Sequence, residues 1–142
     1  MKKIIAFAAG LICASGVFAQ MTPEGLWRNI DDKTGEPKAE IRITANNGVL
    51  SGVVEKALVT SGEPNCTQCT DDRKDKPKVG MEIIRGAKKA EGKDLWEDGK
   101  ILDPDNGKNY TLRMVPLEDG KKLQVRGYIG PFYRTQIWLR VQ

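Results

Sequence analysis

Histidine is absent from the 142 residues, and that absence removes much of the catalytic chemistry open to proteins at neutral pH. Without an imidazole no Ser-His-acid or Cys-His arrangement can form. The haem-attachment signal fails as well, because Thr70 follows Cys69 where histidine is required. Cysteine is nearly as scarce, with three residues, and aromatic residues make up only 6% of the chain. No glycine-rich phosphate loop occurs, since Gly48, Gly52 and Gly62 lack both the spacing and a following helix. Beyond residue 19 no apolar stretch approaches the ~18 residues of a membrane-spanning helix. Helical periodicity is missing too. The best candidate, GAKKAEGKDLW at 86–96, contains helix formers but is interrupted by Gly92.

What is present begins with a targeting segment. Lys2 and Lys3 form a basic head, residues 4–18 are apolar, and Val17 and Ala19 are the small residues that a signal peptidase needs. This pattern predicts a signal peptide over 1–19, a mature start at Gln20, and a periplasmic or secreted protein. Cys13 is not a lipid-attachment site, because Ile12 stands before it where a small residue is needed. Residues 20–142 suffice for one domain with a real core. Loss of Lys2 and Lys3 lowers the net charge from +4 to +2. Acids and bases are interspersed, Glu91 and Asp94 among Lys88, Lys89 and Lys93 included, so no electrostatic case for nucleic acid arises.

Short segments with strand character then follow one another, separated by Gly, Asp, Asn and Pro. They cover 26–30, 39–45, 49–60, 81–86, 95–97, 100–102, 110–117, 123–129 and 135–141. Ala39, Ile41, Ile43 and Ala45 alternate with Glu40, Arg42 and Thr44, the period of two that a half-buried strand requires. Leu123, Val125, Gly127 and Ile129 alternate likewise with Gln124, Arg126 and Tyr128. On the last segment Ile137, Leu139 and Val141 share one face, with Trp138 and Arg140 on the other. EDG at 97–99 and DPDNGK at 103–108 read as turns. Short strands joined by short turns predict an antiparallel meander, and closing it into a barrel removes the two exposed edges. The expected fold is therefore all-β, an up-and-down barrel of about eight strands. Only the polar stretch 61–80, with two prolines and many charges, breaks the pattern; a loop so long needs a restraint or a use.

Six motifs occur together: GLW at 25–27, CTQC at 66–69, P-x-x-G at 77–80, LWEDGKILDPDNGKNY at 95–110, RGYIG at 126–130 and RTQIWLR at 134–140. In order and content they resemble DUF2147, a family of small secreted bacterial proteins, over nearly the whole mature chain. The resemblance implies a lipocalin-like, calycin-type β-barrel and assigns no activity. Lipocalins also carry G-x-W near the first strand and an arginine on the last strand that packs across the tryptophan. Gly25 and Trp27 match the first feature and Arg140 the second. The contact has a physical basis, since a guanidinium over an indole gains ~0.5–2 kcal/mol. The chain departs from lipocalins in its shorter length and in having only neighbouring cysteines, so the resemblance does not imply a large cavity.

With Cys13 removed, Cys66 and Cys69 remain. Three readings stand side by side: a local disulfide restraining 61–80, a redox-active dithiol, or half of a zinc site. The second lacks the helix N-terminus that lowers a thiol pKa, and Asp71 and Asp72 disfavour a thiolate. The third would need Asp71, Asp72 or Asp75 to complete it. A calcium loop at 103–107 lacks the required spacing and terminal Glu. No metal, cofactor or catalytic residue is expected. The inward residues, Ala39, Ile41, Ile43, Ala45, Leu123, Val125, Gly127 and Ile129, point either to a small hydrophobic or amphipathic ligand within the barrel or to a filled barrel acting as a structural or interaction module.

Overall fold

The computed structural model describes Gly10, residues 21–59 and residues 62–142. The expected signal peptide and its cleavage point lie outside these residues, Gly10 apart. Eight strands run β1 (Gly25–Ile30), β2 (Pro37–Asn46), β3 (Val49–Ala57), β4 (Glu82–Lys89), β5 (Trp96–Asp103), β6 (Lys108–Leu117), β7 (Lys122–Ile129) and β8 (Phe132–Arg140). Each pairs antiparallel with the next, and β8 pairs with β1 through Trp27 opposite Arg140 and Arg28 opposite Leu139. The result is a closed barrel in sequence order, the all-β architecture that the succession of short alternating segments predicts.

One local expectation differs from the structure. The EDG sequence is no turn: the segments expected at 95–97 and 100–102 merge into one strand, β5, which starts at Trp96 and takes a bulge between Trp96 and Gly99. Asp98 carries that bulge at φ 63°. Gly99 is required there because a Cβ would run into the β4 backbone at Arg85 and Ala87. The helix candidate at 86–96 instead finishes β4 and begins β5; among the described residues the helical turn is the 3-10 turn Glu118–Gly120. On β8, residues paired across the ladder share a face. Arg134 opposes Gly127, Gln136 opposes Val125 and Trp138 opposes Leu123, so this mostly polar row faces inward, while Ile137 and Leu139 face out.

An up-and-down barrel places the β2–β3, β4–β5 and β6–β7 connections at one end and the remaining hairpins at the other. The first end is filled. Ile43, Leu50, Ala87, Leu112, Met114 and Leu123 are buried there with Trp27, and each large apolar side chain so buried contributes roughly 1.5–3 kcal/mol.

At the opposite end the β3–β4 connection is ordered by its own hydrogen bonds. Asn65 bridges to Pro77, Cys66 N–H donates to Lys76 O at 2.8 Å, Asp75 N–H to Cys66 O at 2.8 Å and Lys78 N–H to Pro64 O at 2.9 Å. Cys66 and Cys69 form a disulfide and both are buried. Gly107 meets the Gln68 backbone so closely that no side chain would fit. The β5–β6 turn and the disulfide knuckle are thereby packed together.

Candidate functional site

Small and medium side chains on the inward faces leave a cavity of about 810 Å³ at this second end. Its floor is Ile41, Val54, Ile83, Val125 and Trp138. Trp138 is fixed by donating its indole N–H to Gln136 Oε1 at 2.9 Å. Ala39 and Ala57, paired across β2 and β3, keep one wall thin; Ile101, Leu102 and Tyr110 form the other.

Of the sequence-predicted interior positions, Ala39, Ile41, Val125 and Gly127 line this cavity. The space beside Gly127 is taken, however: a Cβ there would lie 2.9 Å from Tyr110 Cβ, so this glycine admits the tyrosine ring rather than a ligand. Ile43 and Leu123 are buried but belong to the filled end. Two expectations are corrected. Ala45 is exposed because it sits at the rim beside the β2–β3 turn, where its methyl is too short to reach back and its partner Leu50 covers the core instead. Ile129 is 48% exposed, since β7 and β8 outrun the barrel and pair it with Phe132 beyond the last ring of strands.

The polar residues of the mouth come from hairpin ends that sequence alternation does not single out. Lys38 Nζ donates to Asp105 at 2.6 Å and lies 3.7 Å from Asp31. Lys78, from the disulfide-bearing connection, donates to the other Asp105 oxygen at 2.9 Å. Arg134 reaches Asp32 at 2.6 Å and lies 3.8 Å from Asp103. These contacts set the titration of the site. Burial pushes the Asp105 carboxyl up, yet the hydrogen bonds from Lys38 and Lys78 more than reverse it and hold it below its ordinary value. Asp32 is lowered chiefly by the Arg134 hydrogen bond. Asp31 is lowered chiefly by the backbone N–H groups of Thr34 and Lys33. Lys38 is raised chiefly by Asp105.

At the filled end Trp27 is fully buried and donates its indole N–H to Pro23 O at 2.7 Å. The Arg140 guanidinium lies 4.2 Å from the Trp27 ring centroid. Gly25, at φ 131°, stands where a Cβ would collide with Arg140 Nη1, so the glycine of G-x-W is the one that lets the arginine pass.

A search of curated proteins finds no match. Among solved structures, a protein from Helicobacter pylori, HP1028, described as belonging to the lipocalin family, superposes with a TM-score of 0.73 at 14% identity, over 87% of this chain and 85% of that one. At that identity the likeness concerns the fold, a lipocalin-type barrel. The family model described as an uncharacterised protein conserved in bacteria, DUF2147, matches residues 25–140. Those residues run from the glycine beside the Trp27–Arg140 contact to the arginine that makes it, so the match takes in the entire barrel, and the chain belongs to the DUF2147 family.

Proposed function

We propose that this protein binds a small apolar or amphipathic molecule, without covalent chemistry, in the cavity at the open end of its barrel, and that it does so after export, in the periplasm or outside the cell. The cavity carries this reading. Its volume of about 810 Å³ falls within the ~300–1,000 Å³ of small-molecule sites, which are largely apolar with a few placed polar groups. An eight-stranded barrel is just wide enough to be filled or to hold one small ligand, and here one end does each. The fold likeness to a protein described as a lipocalin supports the same reading. Export is supported by the basic head, apolar run and Val17-x-Ala19 pattern.

The filled-barrel alternative explains the Trp27 end only. A disulfide-exchange function is disfavoured by the burial of both sulfur-bearing residues, because exchange needs an accessible sulfur.

Native mass spectrometry of protein purified gently from its own periplasm or culture fluid tests the proposal. The expected result is a chain beginning at Gln20 with a small molecule attached, released on unfolding. A ligand-free protein that also fails to take up the neutral apolar fluorophore N-phenyl-1-naphthylamine would overturn it.

A further inference from the structure

The charges at the cavity mouth are not neutral towards the head group of an amphipathic ligand. Lys38, Lys78 and Arg134 line the mouth together with Asp31, Glu63, Asp103 and Asp105. All three cations are already engaged by carboxylates of the protein: Lys38 and Lys78 share Asp105, and the Arg134 fork is taken by Asp32. Four carboxylates line the mouth against these three cations, and Asp32 adds a fifth, so a ligand carboxylate or phosphate that used their remaining N–H donors would still sit beside a surplus of acids, a like-charge juxtaposition that disfavours binding.

The acids also retain acceptor capacity. Asp31 Oδ1 accepts the Lys33 and Thr34 N–H groups, while its Oδ2 has Lys38 only at 3.7 Å. Asp103 Oδ1 accepts the Asp105 N–H, while its Oδ2 has Arg134 only at 3.8 Å. Glu63 accepts the Asn65 N–H at 3.3 Å and makes no ion pair among the described residues. A carboxylate has about four lone-pair sites and is an acceptor only, so each of these three can take a further charged donor. An ammonium brings three such donors and no acceptor.

We propose that the cavity selects an amphipathic amine, its apolar body on the Ile41–Val125–Trp138 floor and its ammonium group among Asp31, Glu63 and Asp103; this rests on the cavity being a ligand site at all. The selectivity follows from a mouth in which every cation is paired with a carboxylate and carboxylates remain in excess.

The test is displacement of N-phenyl-1-naphthylamine from the full mature chain by three ligands of one chain length, dodecylamine, dodecanol and dodecanoate, at neutral pH and low salt and below their aggregation concentrations. The amine should displace the probe at about one half to one fifth of the dodecanol concentration, the scale of one partly exposed ion pair, with dodecanoate the weakest. Salt should shrink the gap between amine and alcohol, as screening of exposed charges requires. Glu63→Gln, which breaks no ion pair among the described residues and can still accept the Asn65 N–H, should narrow that gap, with dodecanol displacement in the same variant reporting the state of the cavity. Equal potencies, or dodecanoate at or above the amine, overturn the head-group assignment while leaving the cavity as a ligand site. Failure of the probe and of all three ligands to bind removes the site and the assignment together.

Discussion

Arg140 shows how much one side chain does in this fold. It pairs with no Asp or Glu side chain among the described residues. Instead its guanidinium donates to four main-chain oxygens: Gly120 O at 2.5 Å, Thr22 O at 2.7 Å, Glu24 O at 2.8 Å and Gln142 O at 3.2 Å. Burial pushes its pKa down from the ordinary arginine value, and a guanidinium stays protonated through such a shift where an amine would yield. The side chain therefore ties the segment before β1, the turn before β7 and the chain end onto the Trp27 ring. R140A is expected to destabilise by about 1–4 kcal/mol, since packing, cation–π energy and carbonyls left without a donor act together. W27A falls in the upper part of that range. Chemical denaturation of W27A, R140A and the double variant measures their coupling; a value near zero would mean that the stacked geometry contributes nothing of its own. R140K tests the fork, because one ammonium with three donors cannot serve four diverging oxygens, so it should restore little. Both residues were legible in the sequence because they carry a spacing and a position, G-x-W on the first strand and an arginine on the last.

At the level of elements, strands were legible wherever one face is apolar and the other polar, as on β2 and β7. The one misreading lies at 97–99, where turn-forming residues carry a bulge within β5 instead. β8 presents its aliphatic Ile137 and Leu139 outward because its inward row carries Arg134, Gln136, Trp138 and Arg140, which the cavity and the end closure use. The β3–β4 connection reads as a bare polar loop, yet its charges are internal structure. Arg73 is buried, donating to Glu82 O at 2.8 Å and pairing with Asp71 at 2.5 Å. The Arg73 side-chain hydrogen bond, followed by the Arg73 backbone N–H, holds the Asp71 pKa down to about 2, against roughly 3.9 for an unfolded aspartate. A folded-state pKa below the unfolded one means that the contribution is complete above about pH 4 and is lost as the pH falls towards 2. Asp32 and Asp105, lowered by Arg134 and by Lys38 with Lys78, add in the same direction. The urea midpoint of the wild type should therefore fall steeply on acidification through that window. D71N should be less stable at neutral pH and flatter below pH 4. Parallel curves for the two proteins would show that Asp71 is not among the groups responsible.

For the molecule as a whole, closure of the barrel was legible and the contents of its two ends were not. Alternation says which side chains point inward, but it does not say how far each reaches, or that Tyr110 takes up the space Gly127 leaves. Nor could spacing reveal a mouth built from pairs as distant in sequence as Lys38 with Asp105 and Arg134 with Asp32, which meet only after closure. The asymmetry has a measurable consequence in two alanines of similar surroundings in sequence, each on an inward row of its strand. Ala87 is fully buried at the filled end, opposite Leu50, whereas Ala39 borders the cavity. A close-packed interior resists added volume, so A87F should cost about 1–3 kcal/mol or more. A39F has an empty space for its ring and gains apolar burial there, so its stability should stay within about 0.5 kcal/mol of the wild type or rise. The same substitution should abolish uptake of N-phenyl-1-naphthylamine, which A87F, if folded, should leave intact. Urea denaturation and probe fluorescence of the two variants decide the matter. Equal destabilisation by both would mean that the space beside Ala39 is closed in solution, and undiminished probe uptake by A39F would place ligand binding elsewhere on the molecule.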